Sequence, residues 1–445
     1  MAKLVKRKLM ESLLDGLDKK YICILVGPRQ VGKTTLLKML IREIEKIGYK
    51  TVIYLNLDDA TVRARFSRDP LELRREIERQ TGKPLVRLKD KLFLIIDEAQ
   101  KAPSIFEQVK IIYDEFADKA KIFLSGSSSM DIQRKMSETL AGRIRLYRMT
   151  GLSLGEVLKD AGFISLSSGI VADIVSDNFS IAKVKELQSG IWQQKDSVNT
   201  FTERMLLFGY LPAVYIEPEE EERWFILRDY ISVYLEKDIR TLSQVGNVDQ
   251  FQQVYSSLMF QNGGMLNVNN MANDLGMSRD TVRKYIDIMQ SSFLIYKIKP
   301  YFRRLKARLT KAPKLYFFDQ GIVNHTLRLT SIEALKSAQK LGTAVETLVL
   351  NELMSEGLNL ALPPETSYLR DYQGHELDFV LKNKTTSIIE VTTSPGIEKN
   401  KWRSLNYFAE YFKTPNIFVV GNFEEFKEIK KEGKKLFTIP LWLWF

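Results

Sequence analysis

The chain has 445 residues, 44% of them apolar and 27% charged, with a formal net charge of +11 at pH 7. That length exceeds a single hydrophobic core, so two to four domains are expected, and the composition excludes disordered and collagen-like classes. One cysteine, Cys23, excludes an internal disulfide, and two histidines, His325 and His375, leave little for a His-rich zinc site or a histidine-based triad.

No apolar run is long enough for a transmembrane helix, and the basic start is not followed by the apolar segment of a secretory signal. The expected compartment is a reducing cytoplasm, with no membrane partner. The positive charge favours a polyanionic partner.

The run Ile22-Cys23-Ile24-Leu25-Val26 reads as a buried parallel strand. It is followed by Gly27-Pro28-Arg29-Gln30-Val31-Gly32-Lys33-Thr34, which meets every fixed position of the phosphate loop G-x-x-x-x-G-K-[ST]. A helix is expected from Thr35 onward. Glycines let backbone N–H groups turn toward phosphates, and the helix start adds positive potential. Lys33 is expected on the β- and γ-phosphates, with the Thr34 hydroxyl on Mg²⁺. The cofactors implied are ATP and Mg²⁺.

Thr51 to Leu57 reads as a further strand. Leu92-Phe93-Leu94-Ile95-Ile96 then runs into Asp97-Glu98. A strand apolar on both faces belongs in a parallel α/β sheet, whose carboxyl edge is where ligands bind. Asp97 is expected to orient Mg²⁺ and Glu98 to polarise the attacking water. Lys121 to Leu124 is another strand, ending in Ser125-Gly126-Ser127-Ser128-Ser129. A hydroxyl there, at Ser127 or Ser128, can face the γ-phosphate, or the serines form only a turn. Arg143, in Leu140-Ala141-Gly142-Arg143-Ile144-Arg145-Leu146, can stabilise transition-state charge in cis or across a subunit contact, or it can be a surface ion-pair residue.

The segments GPRQVGKTT, LFLIIDEAQ, FLSGSSS and LAGRIRLYRMTGLSLGEVL resemble, in order and spacing, a family of archaeal and bacterial AAA-type ATPases that carry a C-terminal domain of unknown function. The family usually has proline near Gly151, and this chain does not. The resemblance spans nearly the whole chain. It implies a sensor role for the serine after the fourth strand and a helical lid after the first domain.

Phe201 to Phe208 reads as a helix stopped at Gly209, and Glu219 to Arg240 as a long amphipathic helix. Val268 to Leu275 is a short helix, Gly276-Met277-Ser278 a tight turn with Ser278 as N-cap, and Arg279 to Met289 a second helix. This is helix-turn-helix patterning, with Arg279, Thr281, Arg283 and Lys284 as candidate DNA contacts. Helix-turn-helix shapes also dock proteins. Lys297 to Lys314 holds eight basic residues and no acidic one, Arg303, Arg304, Lys306 and Arg308 among them. That composition fits a basic hairpin, the wing of a winged helix, that neutralises phosphates, or a merely solvated one.

Leu315 to Asp319 reads as a strand, and Ala344 to Met354 as a helix carrying Glu346. Two more strands carry Asp378 and Glu390. They resemble the PD-(D/E)xK nuclease core, which implies that Glu346, Asp378 and Glu390 hold Mg²⁺. The signature requires a lysine two positions after the second carboxylate, where this chain has Thr392. Lys399 or Lys401 would have to be brought in by the fold. Ile439 to Phe445 reads as a core or edge strand.

The expected architecture is α/β: a P-loop NTPase domain at 1–158, a helical lid at 159–245, a winged helix at 246–312 and a restriction-endonuclease-like domain at 313–445. The expected function is ATP hydrolysis coupled to nucleic acid, DNA above all, read by structure rather than sequence; a homo-oligomer is compatible. The rivals are an ATP-gated nuclease and a regulatory ATP switch that docks a protein.

Overall fold

A computed structural model describes residues 4–67, 69–126, 139–164, 169–233, 247–301, 312–371, 375–412, 416–431 and 434–445. The chain forms two compact bodies, one from residues 6–150 with 291–293, the other from 151–290 and 294–445 together with Val5.

In the first body the described elements run α1 (Leu9–Leu14), β1 (Ile22–Val26), α2 (Lys33–Ile47), β2 (Thr51–Asn56), α3 (Ala60–Phe66), α4 (Glu72–Thr81), β3 (Leu92–Asp97), α5 (Ile105–Phe116), β4 (Ala120–Gly126) and β5 (Ile144–Arg148). The five strands lie in the order β2-β3-β4-β1-β5, every neighbouring pair parallel. Residues of β1, β3 and β4 are buried throughout, as strands covered on both faces must be. Ile24, Leu94, Ile96 and Leu124 share one core with Phe106 and Val109 of α5. Burial of each such side chain contributes about 1.5–3 kcal/mol. The register pairs Val26 with Gly126 and Ile96 with Leu124. The ends of β1, β3 and β4 therefore meet at one carboxyl edge, and the fold is that of a P-loop NTPase.

The second body begins with α6 (Leu154–Asp160), α7 (Ile170–Val175), α8 (Ile181–Ile191), α9 (Lys195–Phe208), α10 (Pro212–Ile216) and α11 (Glu220–Val233). There follow α12 (Val248–Phe260), α13 (Val268–Asp274), α14 (Arg279–Ser291), β6 (Ile295–Pro300), β7 (Lys314–Phe317), α15 (Gln320–Leu327), α16 (Ile332–Ser337) and α17 (Leu341–Gly357). The last elements are β8 (Glu365–Arg370), β9 (Glu376–Lys382), β10 (Thr386–Thr392), α18 (Lys399–Phe412), β11 (Asn416–Gly421), β12 (Lys427–Lys431) and β13 (Lys434–Pro440). Eight strands form a mixed sheet, β12-β13-β11-β10-β9-β8-β6-β7.

Helices expected as a lid cluster here with that sheet. Val157, Val171, Val198 and Leu206 share a core with Leu348, Ile389 and Phe418. The strand expected at Leu315 pairs antiparallel with β6, making a hairpin, and β6 in turn pairs with β8 through Lys299 and Pro300. The expected strand at 439–445 stops at Pro440, where the chain enters a short 3₁₀ turn and buries Trp442 and Trp444.

One polar lock organises the junction of α9 and α15. Asp319 is fully buried and accepts the Ile322 amide at 3.0 Å, capping α15, and the Tyr210 amide at 2.6 Å. Burial pushes its carboxyl up to about 6, against the pull of those backbone donors. Among the described residues no helix is long and apolar enough to cross a membrane.

Candidate functional site

The phosphate loop connects β1 to α2 at the carboxyl edge of the first sheet. Gly32 enters α2 at φ +96°, a left-handed conformation that favours glycine. Gly27 lies so close to β5 that a Cβ there would stand 2.2 Å from the Met149 carbonyl oxygen. Lys33 is buried, and its ammonium donates to the carbonyls of Gly27, at 3.0 Å, and Pro28, at 2.6 Å. The cation thus lies across its own loop, where phosphates would be cradled.

Beside it, the Thr34 hydroxyl donates to Asp97 Oδ2 at 2.6 Å. Tyr54 on β2 donates to the same oxygen at 3.0 Å, and the Ser125 hydroxyl donates to Asp97 Oδ1. Burial, reinforced by Asp97, pushes the Tyr54 phenol well up and keeps it a donor. The Glu98 amide donates to Ser125 Oγ at 3.1 Å. Glu98 has φ +55°, an uncommon conformation for a non-glycine residue, and its carboxylate accepts Gln100 Nε2 at 2.6 Å. These residues fit Mg²⁺ arriving with ATP, which needs one hydroxyl and one carboxylate from such a loop and strand.

Sequence reasoning missed three contributors. Tyr54 and Ser125 reach Asp97 from neighbouring strands, and only the sheet order reveals them. Ser127, the serine expected there, lies outside the described residues, as do Arg303, Arg304, Lys306 and Arg308. The third is Arg7, whose buried guanidinium donates to Val31 O at 2.7 Å and Thr150 O at 2.9 Å. It ties the crown of the loop to the chain leaving β5. Arg7→Ala is expected to cost about 2 kcal/mol of stability and roughly tenfold in nucleotide affinity, with Arg7→Lys between. Titration with a fluorescent ATP analogue checks this; unchanged affinity refutes it.

Arg143 does not join the site of its own chain. Its carbonyl accepts the Ile22 amide at the amino end of β1, and its guanidinium pairs with Asp114 at 2.6 Å and 3.2 Å. The loop leaves the other end of β1, roughly 15 Å away at about 3.3 Å per strand residue.

Residues 19–158 match the family model of the AAA domain. The match falls on the P-loop fold of the first body and covers less than a third of the chain. Residues 200–333 and 341–442 match two models each described as a domain of unknown function. An uncharacterised protein of Mycobacterium tuberculosis is 24% identical over 399 residues, 89% of this chain and 76% of that protein. An uncharacterised protein of Methanocaldococcus jannaschii is 22% identical over 456 residues, covering 100% of this chain and 91% of that one. Among solved structures, the Aeropyrum pernix ORC1 protein in complex with DNA gives a TM-score of 0.30 at 12% identity, over 75% of this chain and 95% of that one. Aquifex aeolicus DnaA bound to AMPPCP gives 0.24 at 16%, over 64% and 86%.

Beyond the AAA-type segment, α14 follows the sequence pattern. Val282, Tyr285, Ile286 and Met289 are buried, while Arg279, Arg283 and Lys284 are exposed and Thr281 is half-buried. Ser278 Oγ accepts the Thr281 amide at 3.1 Å.

Of the three carboxylates, Glu346 lies on α17 and Asp378 and Glu390 lie on β9 and β10 of the second sheet. Among the described residues no group of three or more acidic, His or Cys side chains has a metal-holding arrangement. Each is already engaged. Glu346 accepts Tyr316 OH at 2.7 Å, Asp378 accepts the Val391 amide at 2.8 Å, and Glu390 accepts Lys401 Nζ at 2.7 Å. Lys401, on α18, reaches Glu390 as the Thr392 position cannot; Lys399 stays exposed. Lys314 pairs with Glu376 at 2.5 Å and lies 3.8 Å from Asp378.

Burial, then Asp378, pushes Glu346 up to about 7. Its folded value lies above the ordinary 4.5, so the stability it contributes is full below pH 4.5 and is lost as pH rises through about 7. Glu346→Gln keeps an acceptor for Tyr316 and is expected to flatten the fall in melting midpoint between pH 5 and 7. Parallel curves for the two proteins would remove Glu346 as the cause.

Proposed function

We propose that this chain is a Mg-ATP-dependent ATPase whose turnover is coupled to engagement of DNA. The observation that carries the reading is the Thr34–Asp97–Ser125–Glu98 network directly beside Lys33 in an AAA-type fold. When bound with ATP, Mg²⁺ neutralises charge on the phosphates. The chain's own residues do the rest. The loop amides and Lys33 hold the phosphates, Thr34 and Asp97 orient the metal-binding side, and Glu98, held by Gln100, accepts a proton from the attacking water. Glu98→Gln is expected to bind ATP as wild type does and to hydrolyse it on the order of a hundredfold more slowly. Equal turnover would take the base role from Glu98.

The DNA half of the proposal is supported by the +11 charge and by the exposed Arg279, Arg283 and Lys284 on α14. We assign α12 to α14 with the β6–β7 hairpin as a winged helix, and the last sheet as nuclease-like in shape but acting in binding rather than cleavage. The compartment that fits is the cytoplasm. The test is ATPase rate with and without single-stranded, duplex and branched DNA. Stimulation by any of them is expected; no stimulation and no salt-dependent DNA binding would favour a protein-docking switch instead.

A further inference from the structure

Helix α18 packs on one face of the second sheet through Leu405, Phe408 and Ala409, against Leu377, Val380 and Ile388. An amphipathic helix in this position ordinarily turns charged and polar residues to water. This one presents Lys399, Arg403, Tyr407 and Tyr411, one every fourth residue, all exposed. At 1.5 Å per residue they form a single stripe with steps of about 6 Å. Tyr407 is 46% exposed and Tyr411 36%, so two aromatic rings stand in solvent in line with two cations.

The rings are held. Tyr407 stacks on the His375 imidazole, with centroids 4.9 Å apart and planes 20° from parallel. His375 is fixed in turn by Asp371, which accepts its amide at 2.9 Å and contacts its Nδ1 at 2.8 Å. Tyr411 meets Phe412 edge-on at 5.1 Å, and Phe412 meets Tyr301, just beyond β6, at 5.0 Å. The acids nearby are occupied: Glu398 accepts Ser394 Oγ at 2.7 Å, and Glu410 pairs with Lys434 at 3.2 Å. Lys401, turned inward onto Glu390, adds nothing to the stripe.

Cations followed by preorganised rings complement a chain that alternates phosphates with flat bases. In a duplex the base faces are already stacked; in a single strand they are available. We propose that the Lys399–Arg403–Tyr407–Tyr411 stripe of α18 is a track for single-stranded nucleic acid. Lys399 and Arg403 take backbone phosphates, and Tyr407 and Tyr411 stack bases. The proposal rests on the nucleic-acid reading above and names a second surface for it, apart from α14.

The test is fluorescence anisotropy of the full chain with a labelled oligo-dT strand across a salt series. Tyr407→Ala with Tyr411→Ala is expected to weaken binding at least tenfold with the salt slope kept. Lys399→Ala with Arg403→Ala is expected to weaken binding and lower the slope by about 0.7 per lost contact. Tyr407→Phe should retain affinity. Circular dichroism and melting midpoints establish that each variant is folded.

Unchanged affinity in both double variants, while Arg279→Ala with Arg283→Ala loses it, overturns the track and leaves the nucleic-acid reading standing. No binding of any nucleic acid by the wild type overturns both. Binding of polyglutamate that depends on the cations and ignores the tyrosines makes the surface an acidic-peptide site and overturns the track as well.

Discussion

Lys33→Ala is expected to lower ATP hydrolysis by about a hundredfold or more and to leave the melting midpoint within a few degrees of wild type. The expectation follows from where the ammonium lies. It is buried inside the loop, 3.0 Å and 2.6 Å from two of the loop's own carbonyls. Removing it takes away a buried cation placed to meet phosphate charge. The strands around the loop keep their own hydrogen bonds and core, so the fold survives. Phosphate release measured beside a thermal melt separates the two effects. Turnover equal to wild type would sink the assignment of this loop as the ATP site.

Gly209→Ala is expected to destabilise the second body by about 4 kcal/mol or more. Gly209 has φ +78° and ψ −153°, a region essentially reserved for glycine. A Cβ would stand 2.2 Å from Asp319 Oδ1. Asp319 cannot yield, because it is fully buried and holds the amides of Tyr210 and Ile322. The partner side is equally tight: a Cβ on Gly321 would stand 2.1 Å from the Phe208 carbonyl oxygen. Gly190, near the end of α8, is the control. Nothing lies within 4 Å of its Cβ position, so Gly190→Ala is expected to stabilise by about 0.5–1 kcal/mol. Urea denaturation followed by circular dichroism reads both; a Gly209→Ala protein as stable as wild type would show that the junction relaxes freely.

The phosphate loop was legible because its chemistry is contiguous: eight residues between a buried strand and a helix state their purpose without tertiary help. Asp97 and Glu98 were legible because an apolar strand of a parallel sheet must end at the ligand edge. Tyr54, Ser125 and Arg7 were not, because they reach the site through strand order and through a bond spanning 143 residues. Arg143 shows the opposite failure. Its segment alternates as a strand does, but periodicity cannot tell which end of that strand faces the loop. Pairing of Ile144 with Ile22 decides it, and places Arg143 at the far edge. That Lys401 rather than Thr392 meets Glu390 could not be seen in the sequence, because it depends on how α18 lies over the sheet.

The β6–β7 hairpin is bonded into the same sheet that carries α18, through Lys299–Ser367 and Pro300–Tyr368, and Lys297 ties β6 to Asp287 of α14 at 2.8 Å. Among the described residues these bonds run from α14 through β6 and β8 into the sheet under α18, so moving the exposed cationic side of α14 away from the stripe on α18 would break the Lys297–Asp287 contact or the β6–β8 pairing. A ligand that touches both meets a caliper of fixed jaw width. The gauge of that caliper is set at folding.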